Sequence, residues 1–371
     1  MSGFIEGVAR DQASLFPERL EDWVGEDHPV RVIDLFVEDL DLPALGFERT
    51  AAARTGRPGY HPAVLLKLFI YGYLNRIASS RRLEREAGRN VELMWLTGRL
   101  VPDHKTIADF RRDNGPAIRQ TCAAFVELCR RIGVLKGDCV AIDGSKFKAV
   151  NNRDRNFTSG KIASRLAHLE ASVERYIDEM VRIDRQEEGE VRAEKVANLG
   201  RRYARIRNEI QRLQARERAL EEAPDGQISL TDPDARAMAT SARHSGLVGY
   251  NAQAAVDTET HLIVTHEVTN LAHDRDQLAA MATGANGRCT TGNERRITRW
   301  EHGHLVDDMR FRRSTVEHPL GTIKARMGAT NFQMRRLRNV PTGMALHVLA
   351  CNMKRILSMT GVRGLMEALS A

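Results

Sequence analysis

The sequence predicts an α/β core behind an all-α N-terminal region, with an antiparallel helical hairpin inserted into the core. Three observations carry that prediction. Residues 1–135 hold short apolar runs at helical spacing, separated by turn-forming residues. Two β-type stretches follow, Cys139 to Gly144 and Gly249 to Thr269. Between them, within residues 160–222, two long runs repeat their apolar positions every three and four residues. The division is therefore 1–135 and 136–371, the second part interrupted by the hairpin.

In the N-terminal region, Pro29 to Leu40 opens with a proline suited to a first helical turn. The breaker stretch Thr55-Gly56-Arg57-Pro58-Gly59 precedes a helix that starts near Pro62 and carries Ala63, Leu65, Leu66, Leu68 and Phe69. A third helix holds Ser79 to Glu86. Pro102 to Thr106 opens a short one over Ile107 to Arg112, which ends in a basic pair, and Ala117 to Ile132 closes the region. Short helices with basic ends suit a helix-turn-helix-like DNA-binding domain. They suit a helical bundle with a solvated basic face equally well.

The run Cys139-Val140-Ala141-Ile142-Asp143-Gly144 reads as a buried strand that brings a carboxylate to a sheet edge. Gly249 to Asp257, the turn Thr258-Glu259-Thr260 and His261 to Thr269 read as a β-hairpin. In the inserted hairpin, Leu166, Leu169, Val173, Tyr176, Met180 and Ile183 face Val196, Leu199, Tyr203, Ile206, Ile210 and Leu213 across a narrow seam. Thr342 to Leu357 is again an apolar helix.

A net charge of +7 and a pI near 9.3 favour a polyanionic partner, with nucleic acid the commonest, although membrane surfaces and plain solubility give the same balance. The five cysteines stand at no ligand spacing, which points to a reducing compartment without disulfides or a closed zinc site. The first residues lack the charged and apolar regions of a signal peptide, and no apolar run reaches the ~20 residues of a membrane span. A cytoplasmic protein is expected. No phosphate-binding loop, dinucleotide fingerprint or nucleophile elbow is present, so no nucleotide cofactor is implied.

Two places hold the residue types of phosphodiester chemistry. One is Asp143 with the following Gly144-Ser145-Lys146-Phe147-Lys148. The other runs from Arg313 to Lys324, with Glu317 at a helix start and Lys324 two turns further along the same face. Strand cleavage and transfer need two or three carboxylates around two Mg²⁺ ions about 4 Å apart. Taken singly, a strand-end aspartate is as often a turn former and a helix-start glutamate as often a cap.

Taken together, the stretches GRPGYHPAVLLKLFIYGYL, PDHKTIADFRR, AIDGSKFKA and GYNAQAAVDTETHLIVTHEVTN, with the C-terminal block, resemble the bacterial insertion-sequence transposases. Arg313, Glu317 and Lys324 fall at the spacings of that family's Tyr-two-Arg-three-Glu-six-Lys motif. The resemblance implies a ribonuclease-H-like core with an Asp-Asp-Glu triad, and Mg²⁺ or Mn²⁺ as cofactor. It also implies double-stranded DNA (transposon ends and target) and further copies of the chain as partners. By resemblance, Asp143 and Glu317 are the first and third metal-holding carboxylates. Arg313 and Lys324 contact DNA, with Lys105, Arg111 and Arg112 holding DNA backbone.

The chain departs from the family twice. Arg310, beside Phe311, stands at the motif's tyrosine position. The second triad aspartate is absent: the helix around Asp274 to Met281 runs into Thr283 to Gly292, and RRITRWEHGH follows soon after. This reads as a deletion near 283–292 that leaves the mixed sheet incomplete and the catalysis crippled. Asp257, Asp274 and Asp276 read as a turn former and helix caps rather than substitutes. The alternative function is a non-catalytic DNA-binding protein that occupies transposon ends or inhibits an intact transposase. Glu301, His302 and His304 form no adequate metal set, His318 orients DNA or caps its helix, and Trp23, Trp95 and Trp300 read as packing residues.

Overall fold

The structure is a computed structural model that describes residues 19–51, 59–135, 139–150, 155–186, 190–223, 225–238, 246–272, 274, 277–289 and 314–370. Seven helices come first: α1 (Leu20–Trp23), α2 (Pro29–Glu38), α3 (Pro62–Leu74), α4 (Ser80–Ala87), α5 (Val91–Thr97), α6 (His104–Asp113) and α7 (Gly115–Arg131). Local chemistry sets their starts. The Nδ1 atoms of His28 and His61 accept the N–H groups of Val30 and Ala63, each with a proline at the first helical position. Asp103 takes the N–H groups of Lys105 and Thr106, and Asn90 takes that of Leu93. The α5 helix was not anticipated, although Asn90 is an ordinary cap for it.

The α3 helix is buried on every side from Leu65 to Tyr73 and forms the axis of this bundle. Even Lys67 is buried, its ammonium 2.6 Å from Asp34 and 2.5 Å from Glu38 of α2. Burial alone would lower its pKa, but the two carboxylates outweigh burial and raise it. A Cβ on Gly72 would lie 2.6 Å from a Leu83 methyl and 2.7 Å from the Ile77 carbonyl, so only glycine lets α4 approach α3 this closely.

The sheet is built around β5 (Leu247–Asp257). On one side β1 (Val140–Lys148) pairs antiparallel along its whole length, from Val140 opposite Asp257 to Lys148 opposite Gly249. On the other side β6 (Ile263–Thr269) and the short β4 (Arg236–Met238) pair with β5 end to end. Every strand pair among the described residues is antiparallel, where a mixed sheet was expected. The inserted hairpin forms as predicted, α8 (Ser159–Gln186) against α9 (Glu190–Glu221). A two-stranded ribbon, β2 (Asn156–Thr158) with β3 (Gln227–Ser229), ties its base.

After β6, α10 (Leu278–Cys289) covers one face of the sheet. It continues through Gly284 and Gly287, where the sequence suggested that the helix had ended. From residue 314 a helix, α11, runs to 321 and passes into a π-turn, Thr322–Arg326. The last helix, α12 (Val340–Ser370), packs on α2, α3 and α7 and also on β6. It breaks its helical path at Gly361 (φ 73°, ψ 172°). A single buried cluster thus spans the bundle, α12 and one face of the sheet. Among the described residues no helix is long and apolar enough to cross a membrane.

Candidate functional site

Side chains alternate along a strand, so Asp143, Ser145 and Phe147 share one face of β1 and Ile142, Gly144 and Lys146 the other. The Asp143 face meets α11 and its π-turn. Lys324 Nζ donates to Ser145 Oγ at 2.6 Å and lies 4.6 Å from the centroid of the Phe147 ring. Burial, then the charge of Lys146, lowers the Lys324 pKa. Val316, Leu320 and Ile323 form the buried stripe of this helix, and Glu317 and Lys324 flank the same side of it two turns apart. At the other end of α11, His261 Nδ1 is 3.4 Å from the Thr315 carbonyl, and the His261 and His318 rings are 5.4 Å apart. The helix is therefore pinned to the sheet at the β5–β6 turn and at Ser145. That turn adjoins the start of β1, because Thr258 N–H donates to the Cys139 carbonyl. Asp143 on the strand and Glu317 on the helix both fall between the two pins.

The Asp143 carboxylate accepts the N–H of the next residue, Gly144, at 2.8 Å. Ala149 N–H donates to Val248 across the sheet, so by alternation Gly144 N–H points away from β5. Asp143 thus leans over the outer edge of β1. At Lys148 that edge is covered by a parallel bridge to Asn331 and a bond from Phe332 N–H. Along Val140 to Phe147, no strand among the described residues pairs with it.

The other sheet carboxylates sit elsewhere. Asp274, which the sequence suggested as a helix cap, turns its carboxylate toward the sheet. Its Oδ1 accepts from Asn251 and Gln253 at 2.6 Å each and lies 3.3 Å from Lys146 Nζ. Burial would raise its pKa, yet the two amides and Lys146 together lower it. A Cβ on Gly144 would strike the Gln253 amide and lie 2.8 Å from the Asp274 carboxylate, so the glycine makes room for this contact. Asp257 is the turn former that was expected: buried, it accepts the Thr260 N–H at 2.8 Å and hydroxyl at 2.7 Å. Because Asn251, Gln253 and Asp257 stand opposite Lys146, Gly144 and Val140, Asp257 and Asp274 occupy the sheet face opposite Asp143. Among the described residues no three His, Cys, Asp or Glu side chains gather as a metal site. Asp276, Trp300, Glu301, His302, His304, Arg310, Phe311 and Arg313 lie outside the described residues.

In the helical half the predicted basic residues part company. Lys105 is exposed at the start of α6. Arg111 is only 7% exposed and points inward, donating to the Tyr73 hydroxyl at 3.0 Å and lying over the Phe69 ring. It is a core residue and presents nothing to a phosphate. Arg112 is exposed but held between Asp109 at 2.6 Å and Asp113 at 2.8 Å. Trp23, expected to pack, is 60% exposed, whereas Trp95 is half-buried and donates to Glu21 at 2.7 Å. Sequence reasoning missed the outward side of α4, where Arg81, Arg82 and Arg85 are all exposed. Their three-and-four spacing was the available signal.

Residues 18–113 match the family model described as Transposase domain (DUF772), about a quarter of the chain. No curated protein and no solved structure matches the chain. The family match supports a transposase-family protein, and it covers α1 to α6 rather than the sheet.

Proposed function

We propose that the chain is an insertion-sequence DNA transposase crippled in its cleavage chemistry, a protein that holds DNA without cutting it. One observation carries this reading: among the described residues, Asp257 and Asp274, two of the three candidates to replace the missing second aspartate, lie across the sheet from Asp143. In this reading the core is ribonuclease-H-like, Asp143 and Glu317 are its first and third triad members, and the deletion follows α10. The strand it removed would have lain along the outer edge of β1, where Asp143 leans. Arg313 and Lys324 serve DNA backbone, and Lys105 extends that contact on the helical half.

Two-ion chemistry requires shared carboxylates that fix both Mg²⁺ ions in place. Asp143 and Glu317 offer two such groups, and the Lys324 ammonium is held at Ser145, two residues from Asp143 on the same face. A fixed positive charge there opposes a second cation. These residues do not fit a two-ion site, so no cleavage step is assigned to them. The resulting function is the occupation of DNA ends, in competition with an intact enzyme.

The test is nicking of a labelled duplex that carries the element's own ends, with Mg²⁺ or Mn²⁺ present and Asp143→Ala as control. The expected outcome is salt-sensitive binding and no nicking by either protein. Metal-dependent nicking that Asp143→Ala abolishes would establish a working third ligand and end the crippled-site reading.

A further inference from the structure

With Arg111 buried and Arg112 neutralised, the positive surface of the helical half lies elsewhere. The α4 helix buries Leu83 and Ala87 completely. Arg81, Arg82 and Arg85, with Arg89 just past its end, project from an arc of about 100° on the opposite side. The two acids of α4 cancel this arc only at its Arg85 and Arg89 end. Glu84 turns aside to His104 of α6 at 2.8 Å. Glu86 is taken up by Arg89 at 2.5 Å and stands 3.9 Å from Arg85. Arg81 and Arg82 form no close ion pair among the described residues, although the charge of Glu86 reaches Arg82 at longer range. Arg112, Arg130 and Arg131 of this half do have one, with Asp109 and Asp113, with Glu127 and with Asp39, whereas exposed Arg49, Arg76 and Arg99 form none among the described residues. Arg76, exposed in the connection to α4, adds a further positive charge beside it. The contact between Glu84 and His104 fixes α4 against the start of α6, so exposed Lys105 borders the same surface.

We infer that the outward face of α4 is the duplex-DNA contact of the helical half, with Arg81 and Arg82 each neutralising a backbone phosphate. The inference rests on the DNA-holding reading above and locates the contact. The dimensions suit it. An α-helix with its side chains is ~10–12 Å across, a width that the ~12 Å major groove admits. Duplex DNA carries one negative charge per ~1.7 Å of its axis, so closely spaced guanidinium groups each find a phosphate. The face carries no exposed aromatic for base stacking, which argues against a single-stranded partner.

The test compares the full chain with Arg81→Ala/Arg82→Ala and with Arg112→Ala, by anisotropy of a labelled random-sequence duplex at several salt concentrations. Both variants alter exposed side chains, and matching thermal unfolding confirms their fold. Two lost phosphate contacts make the slope of log affinity against log salt shallower by about 1.8, and affinity at 0.1 M salt falls about 60-fold. Arg112→Ala stays within about twofold of the parent protein, since its charge is already spent on two aspartates. If the parent binds duplex and Arg81→Ala/Arg82→Ala binds with the same slope, α4 is not the contact and the DNA-holding reading survives without it. If the parent fails to bind duplex, or prefers single-stranded RNA or anionic vesicles, both readings fall.

Discussion

Among the described residues the helical half closes on itself and the sheet does not. In the bundle, His28, His61, Asn90 and Asp103 cap their helices, and α3 is surrounded by neighbours. The sheet has two outer edges with opposite fates. On β6, the Asn352 side chain of α12 accepts Ile263 N–H and donates to the Ile263 carbonyl, both at 2.9 Å, so the backbone is satisfied there. On β1 the outer edge is covered only near Lys148 among the described residues. The four strands need a hydrophobic face packed against a neighbour to be stable. This sheet leans on α12, which is packed into the bundle, so Ala252, Ala254 and Val256 share a core with α3 and α7. A sheet whose edge is open among the described residues can lean on a neighbour packed on every side.

The largest effect should come from breaking the neighbour. Phe69 is fully buried in α3 and stacks near Phe110 at 6.1 Å. Phe69→Ala should cost about 3–5 kcal/mol. Both regions should loosen together, with amide exchange accelerating in β5 as well as in α3. Sheet amides that keep their protection while α3 loses it would mean that the sheet stands by itself.

A somewhat smaller effect comes through pH. His347 of α12 is buried against the Tyr73 ring at 4.5 Å, its Nδ1 has no hydrogen-bond partner among the described residues, and Arg111 lies nearby. Burial, helped by Arg111, depresses its pKa from 6.5 to about 3. The folded chain therefore keeps this imidazole neutral while the unfolded chain protonates it below about pH 6.5. Its contribution is complete above that value and is lost as pH falls toward about 3, reaching roughly 3 kcal/mol by pH 4. In urea titrations, His347→Phe should lose less stability between pH 7 and pH 4 than the parent. Equal losses would remove His347 as the link between pH and the bundle.

Much of this was legible locally. Proline after a histidine set the starts of α2 and α3, and alternation with a polar turn set β5 and β6. What escaped detection depends on three dimensions. Gly284 and Gly287 read as breakers, yet packing of Met281 and Ala285 on Ala255 carries α10 past them. Asp274 read as a cap, because nothing local reveals the two amides of β5 that reach it. Arg111 is different, since its signal was present. Ile107, Phe110 and Arg111 step by three and four, and that spacing alone puts the arginine on the buried side of α6. For the site, Asp143 and Glu317 could be read as residues. The sheet face each carboxylate occupies required the register.

The smallest effect tests the two faces of β1 against each other. Asp274→Ala removes the acceptor shared by Asn251, Gln253 and Lys146 and should cost about 1–3 kcal/mol. Asp143→Ala, at a strand edge, should cost under about 1 kcal/mol, because edge backbone freed from the carboxylate can turn to water. A bound cation would reverse that order, since a ligand held only by the folded state stabilises it in proportion to its occupancy. Millimolar Mg²⁺ should therefore leave the unfolding temperature of the parent and of Asp143→Ala unmoved. A rise in the parent that Asp143→Ala erases would show that two carboxylates and a neighbouring lysine suffice to hold a metal, and the open edge of β1 would then be a working site.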